Sequence, residues 1–122
     1  MTAPIVPETL ERLADSFGGG TEGWTFVSEL IETFLEDAPV QLAALRSAVQ
    51  QGNAEEARRA AHTLKSNGAT FGAGALAEVS GELEAVAARG ELEGATALVD
   101  RAEAEWERAR EALERVGSGG RE

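Results

Sequence analysis

The chain has 122 residues, a formal net charge of −11 and no cysteine. That length allows one domain with a single core, and the lack of thiols excludes a disulfide framework and any Cys-ligated metal site. The acidity argues against general affinity for nucleic acid or anionic membrane surfaces, both of which are bound through cations.

No apolar run approaches the roughly 20 residues that span a bilayer. The start, MTAPIVPETLERL, lacks a basic region followed by an apolar one, so it does not read as a signal peptide. A cytoplasmic monomer is expected, with neither nucleic acid nor membrane as a partner. The initial Met and the Gly-rich end suit a free-standing protein, and equally a domain cut from a longer chain.

Ala, Glu, Leu and Arg are abundant, so local preference is helical throughout. Residues 1–6 read as a loose lead-in. Pro7 opens a short helix, where proline is tolerated in the first turn. Leu10, Leu13, Ala14 and Phe17 form its apolar stripe, and the glycines at 18–20 end it. Thr21 is suited to cap the second helix. Its apolar positions, Trp24, Val27, Ile31, Phe34, Ala38, Leu42, Leu45 and Val49, recur every three or four residues. Pro39 lies in the middle and predicts a kink or a split near Asp37.

Gly52 closes that segment, and Asn53 with Glu56 resembles a capping box for the third helix. This helix is predicted to reach about Phe71, with Gly72 at its exit. A fourth covers roughly 74–89, and Gly90 ends it. In the last, Leu92, Ala95, Val99, Ala102, Trp106, Ala109, Leu113 and Val116 make a heptad-like seam. Short turns between long helices imply antiparallel neighbours. The expected fold is all-α: one domain over 1–116, an antiparallel up-down four-helix bundle with the short N-terminal helix lidding one end. Residues 117–122 read as a disordered tail.

The stretch AHTLKSNGATFGA holds the only histidine and the only lysine of the chain. At about 100° per residue, Ala57, Ala61, Leu64, Gly68 and Phe71 share one direction, and His62 lies roughly 140° from it. His62 therefore faces outward. Its neighbours at helical spacing are Arg58, Arg59, Lys65 and Ser66, so three of eleven basic residues crowd one imidazole. Nearby cations favour the neutral, nucleophilic ring and would stabilise a dianionic group attached to it. Ser66 and Ala69 are small on that outer face, where a solvated helix normally carries long charged side chains. They leave room for another protein to approach.

The stretch resembles the histidine-containing phosphotransfer (HPt) family of two-component phosphorelays. The residues that carry the likeness are His62, Thr63, Leu64, Lys65, Ala69, Phe71, Gly72 and Ala73, then Leu76, Leu83 and Glu84, preceded by Phe34-Leu35 and Asp37–Pro39. Ser66 stands where the family often has glycine, and Gly68 where it often has serine; a helical glycine there predicts close helix packing.

The resemblance implies a phosphorylated carrier, not an enzyme. His62 would accept a phosphoryl group from the aspartyl phosphate of a response-regulator receiver domain and pass it to another receiver. Lys65 would hold phosphate oxygens, and Ser66 and Ala69 would give clearance. Arg58 and Arg59 are candidates for docking and local field. Glu84 is a candidate to orient the ring through Nδ1, because Ala77, Gly81, Glu84 and Ala88 form a largely small stripe that can pack against the histidine helix. No cofactor is expected on this chain; Mg2+ would come with the receiver, and a hybrid or other sensor histidine kinase would stand upstream. The stripe of the first helix, with outward apolar residues of the second, is a candidate docking patch.

Three other readings compete. The chain can be the phosphorylated substrate domain of a chemotaxis-type histidine kinase, or a helical adaptor that is never phosphorylated. A carboxylate-bridged metal bundle would need Glu-x-x-His on two helices, but there is one histidine, and Arg59 stands three residues before it.

Overall fold

A computed structural model describes residues 3–116. Its helices are α1 (Pro7–Ser16), α2 (Gly20–Gln51), α3 (Ala54–Thr70), α4 (Gly74–Ala88) and α5 (Thr96–Arg115). Helix α2 packs on α3, α3 on α4, α4 on α5, and α5 back on α2, which closes a four-helix bundle; α1 lies on α2. The tail predicted at 117–122 lies outside the described residues.

The core follows the three-and-four spacing of the sequence. Val27, Ile31, Phe34, Ala38, Leu42 and Leu45 are buried along α2, and Val99, Ala102, Trp106, Ala109 and Leu113 along α5. Phe34 ties three segments together. It stacks on Phe71 with ring centroids 4.8 Å apart and meets the edge of Trp106 at 5.1 Å, both favourable aromatic geometries. Arg46 of α2 clamps α5 from outside, its guanidinium 2.6 Å from Asp100 and 2.8 Å from Glu103.

Three local expectations are corrected. Helix α2 is not split at Pro39 but runs unbroken from Gly20 to Gln51. Proline removes the N–H that would bond to the Leu35 carbonyl, yet buried residues flank it on both sides, and their packing holds the helix together. Thr21 does not cap α2. Gly19 takes that position with φ 68°, and Thr21 lies in the first turn. Finally, the lead-in is anchored: Ile5 is buried, and the Val6 N–H donates to the Gly72 carbonyl at 2.9 Å. Gly72 makes this possible twice over. Its φ of 75° is left-handed, and a Cβ would come within 2.8 Å of the Val6 oxygen.

The capping box is half formed. Asn53 Oδ1 accepts from the Glu56 N–H at 3.1 Å, but the Glu56 carboxylate turns to Arg59 instead of back to the cap.

Two glycines mark close approaches. Gly68 of α3 faces α4, where a Cβ would lie 3.3 Å from the Ala77 nitrogen, and α3–α4 is the most extensive helix pair. Gly23 of α2 meets α1; a Cβ there would overlap the Ala14 carbonyl oxygen and lie 3.1 Å from its carbon. Gly23→Ala is therefore expected to push α1 off α2 and destabilise the fold by roughly 1–3 kcal/mol. Hydrogen exchange should show the loss of protection concentrated in α1, and unchanged α1 protection would contradict this packing account.

Ser80 raises the opposite expectation. It is completely buried in α4, and its Oγ has no hydrogen-bond partner among the described residues. A buried unsatisfied hydroxyl is costly, and alanine is the better helix former. Ser80→Ala should stabilise the protein by about 1 kcal/mol and raise the thermal midpoint by a few degrees. A lowered midpoint would mean that the hydroxyl is bonded in solution.

Candidate functional site

The core face of α3 decides where His62 points. Ala57, Ala60, Ala61, Leu64 and Gly68 are buried, and His62 stands on the opposite side with 59% of its side chain exposed. Arg58, Arg59, Ser66 and Ala69 share that exposed side. The small Ser66 and Ala69 leave the imidazole standing above its surroundings.

Glu84 of α4 reaches His62 because α3 and α4 pack closely at Gly68. Its Oε2 is 2.8 Å from His62 Nδ1, and its Oε1 is 2.8 Å from Lys65 Nζ. One carboxylate thus holds both neighbours. The Lys65 ammonium keeps the Glu84 carboxyl below the usual carboxylate range, and the bond from His62 adds to this. An ionised carboxylate can only accept. Nδ1 must therefore carry the hydrogen that it donates to Oε2, and in the neutral ring the lone pair lies on Nε2.

The cations predicted around His62 are present but not all free to act. Lys65 is paired with Glu84. Arg59 is committed to Glu56 one turn away on its own helix, at 2.7 Å, and holds that carboxyl below its usual range. Arg58 is exposed and makes no ion pair among the described residues. The histidine is thus set between paired charges and not in a purely positive field.

Sequence reasoning did not single out Phe26. It is 51% exposed on α2 and stacks on Phe17, the C-cap of α1, with ring centroids 4.5 Å apart. Phe26 and Asp37 differ by only about 20° in projection along α2, and Asp37 lies close enough to attract Arg59. The aromatic pair covers the junction where the end of α1 lies on α2. The signal was an aromatic residue off the buried stripe of an otherwise regular amphipathic helix. Leu10 and Ala14, by contrast, are buried in the lid.

No group of three or more His, Asp or Glu side chains able to hold a metal ion occurs among the described residues. No helix among them is long and apolar enough to cross a membrane.

Comparison with known proteins agrees with this geometry. Residues 29–116 match the Hpt domain family. The crystal structure of histidine-containing phosphotransfer protein B (HptB) from Pseudomonas aeruginosa PAO1 is similar to the whole fold. The TM-score is 0.85 at 29% sequence identity, over 97% of this chain and 97% of that one. No significant match is found among curated proteins. An all-α bundle presenting one solvent-facing histidine, with a family match over most of its length, leaves one assignment: the chain belongs to the Hpt domain family, and it acts as a phosphorelay carrier in histidine phosphotransfer and not as an enzyme.

Proposed function

We propose that His62 is the phosphorylated residue, and that it takes the phosphoryl group on Nε2 from the aspartyl phosphate of a receiver domain. The observation that carries this reading is the 2.8 Å bond between His62 Nδ1 and Glu84, which leaves Nε2 as the free nucleophilic nitrogen. The Nε2 lone pair forms the new bond to phosphorus as the bond from phosphorus to the aspartate oxygen breaks. The aspartate leaves as a carboxylate. No proton has to move, because the ring keeps the hydrogen on Nδ1.

The ring gains positive charge in this step, and Glu84 lies against the nitrogen that shares it. Preorganised opposite charge at the site of developing charge is an effective stabiliser. Lys65, one turn after His62, is the cation within reach of the transferred phosphoryl oxygens. Phosphoryl transfer depends mainly on positioning and charge stabilisation, so the chain needs little more than these three side chains. Mg2+ and the acidic pocket that binds it belong to the receiver. Arg58, with no ion pair among the described residues, is the better candidate of the two arginines for contact with the partner.

Ser66 and Ala69 give the receiver clearance over His62. The stacked and partly exposed Phe17–Phe26 pair offers an apolar centre for the docking surface, around which charged groups form a polar rim. A response-regulator receiver is thus the proposed partner, in a relay with a hybrid or other sensor histidine kinase upstream.

The test is a comparison of donors. The chain is incubated separately with a phosphorylated receiver plus Mg2+ and with a kinase core plus ATP. Label from the receiver supports the relay reading. Label from the kinase core alone would make the chain a kinase substrate domain, and label from neither would favour a non-phosphorylated adaptor.

A further inference from the structure

Gly81 occupies the middle of α4 without a backbone reason to be there. It is not among the glycines with positive φ. A glycine inside a helix is unfavourable relative to alanine, so its presence calls for a contact that a side chain would spoil. Among the described residues, a Cβ at Gly81 would meet only the Lys65 side chain, with Cδ at 3.3 Å. The stem of Lys65 lies over this gap, and its ammonium ends on Glu84 Oε1 at 2.8 Å, three residues further along α4.

Resting on the phosphocarrier reading above, we propose that Gly81 is a positioning residue: its missing side chain forms the notch through which Lys65 crosses α4 to pair with Glu84. The pairing has two consequences. It stores the only lysine of the chain beside His62 before any phosphoryl group arrives. It also fixes Glu84, whose second oxygen holds Nδ1. Filling the notch would lift the lysine stem and release both. The glycine thus gives up helix propensity to set the positions of the cation and, through Glu84, of the ring.

The test compares wild type, Gly81→Ala, Gly81→Leu, Lys65→Ala and the Gly81→Leu/Lys65→Ala double variant. Glu84 is followed by carbon NMR of its carboxylate during a pH titration, and phosphoryl uptake from a receiver is measured in parallel. Alanine and leucine are good helix formers, so the variants are expected to fold at least as well as wild type, which thermal unfolding checks. The carboxylate midpoint should rise in Gly81→Ala and rise further in Gly81→Leu, as the ammonium withdraws. Uptake should fall with it, roughly tenfold or more for leucine.

In the Lys65→Ala background, Gly81→Leu should add nothing to either readout, since residues acting through one contact are non-additive. A midpoint that stays put in Gly81→Leu, or rises equally without Lys65, would overturn the proposal; the second result would mean that leucine merely shields Glu84 from water. The titration needs no phosphoryl donor, so it decides the role of Gly81 by itself. Absence of uptake by wild type would contradict the carrier reading and not this one.

Discussion

His62→Gln is expected to take up no phosphoryl group while keeping the wild-type fold. Glutamine has similar reach, and its amide can donate to Glu84 in place of Nδ1. It has no nucleophilic nitrogen, because the amide lone pair is delocalised into the carbonyl. His62 stands outside the core with 59% of its side chain exposed, so the bundle should unfold at the same temperature within error. Intact mass after incubation with a phosphorylated receiver should show one added phosphoryl group on wild type and none on the variant. The group on wild type should be lost in acid and stable in base, as a phosphoramidate is. A variant that still gained the same acid-labile group would place the acceptor elsewhere in the chain.

Glu84→Ala should have the next largest effect. It removes the acceptor for Nδ1–H and the partner of Lys65 at once. The ring is then free to rotate and to exchange tautomers, and the positive charge it gains during transfer loses its counter-charge. Misplacement of a reacting group costs on the order of a hundredfold in rate, and we expect uptake to fall by roughly tenfold to a hundredfold. Glu84→Gln separates the two roles. Its amide oxygen can still accept from Nδ1–H, but it no longer carries a charge for Lys65 or for the ring. Uptake by this variant should lie between those of wild type and Glu84→Ala. Equal uptake by all three proteins would mean that His62 works without an orienting partner.

Much of the site was legible because it depends on local periodicity. The outward direction of His62 follows from the alanines and leucine on the other side of α3, and one helix suffices to fix it. The closeness of α3 and α4 was readable from Gly68 and from the small residues Ala77 and Gly81. Glu84 was a candidate for the same reason, but its bond to Nδ1 needed the register between two helices, which no periodicity within one helix contains.

What escaped was non-local or a matter of balance. The proline in α2 carries a strong local signal for a break, and with buried residues packed on both sides the helix runs through it unbroken. The anchoring of Ile5 and Val6 depends on the turn at Gly72, more than 60 residues away in the chain. The cation cluster was correctly counted from the sequence, but the pairing of Lys65 with Glu84 on the neighbouring helix was not visible there. The notch at Gly81 could be seen only once the path of the Lys65 side chain was known.

The proposed role of Glu84 is to hold Nδ1 so that Nε2 carries the phosphoryl group. It is tested most directly by labelling the single histidine with ¹⁵N, phosphorylating the chain with a receiver, and correlating phosphorus with the ring nitrogens by NMR. Phosphorus should couple to Nε2, with Nδ1 still protonated. Phosphorus on Nδ1, or on a residue other than His62, would contradict it.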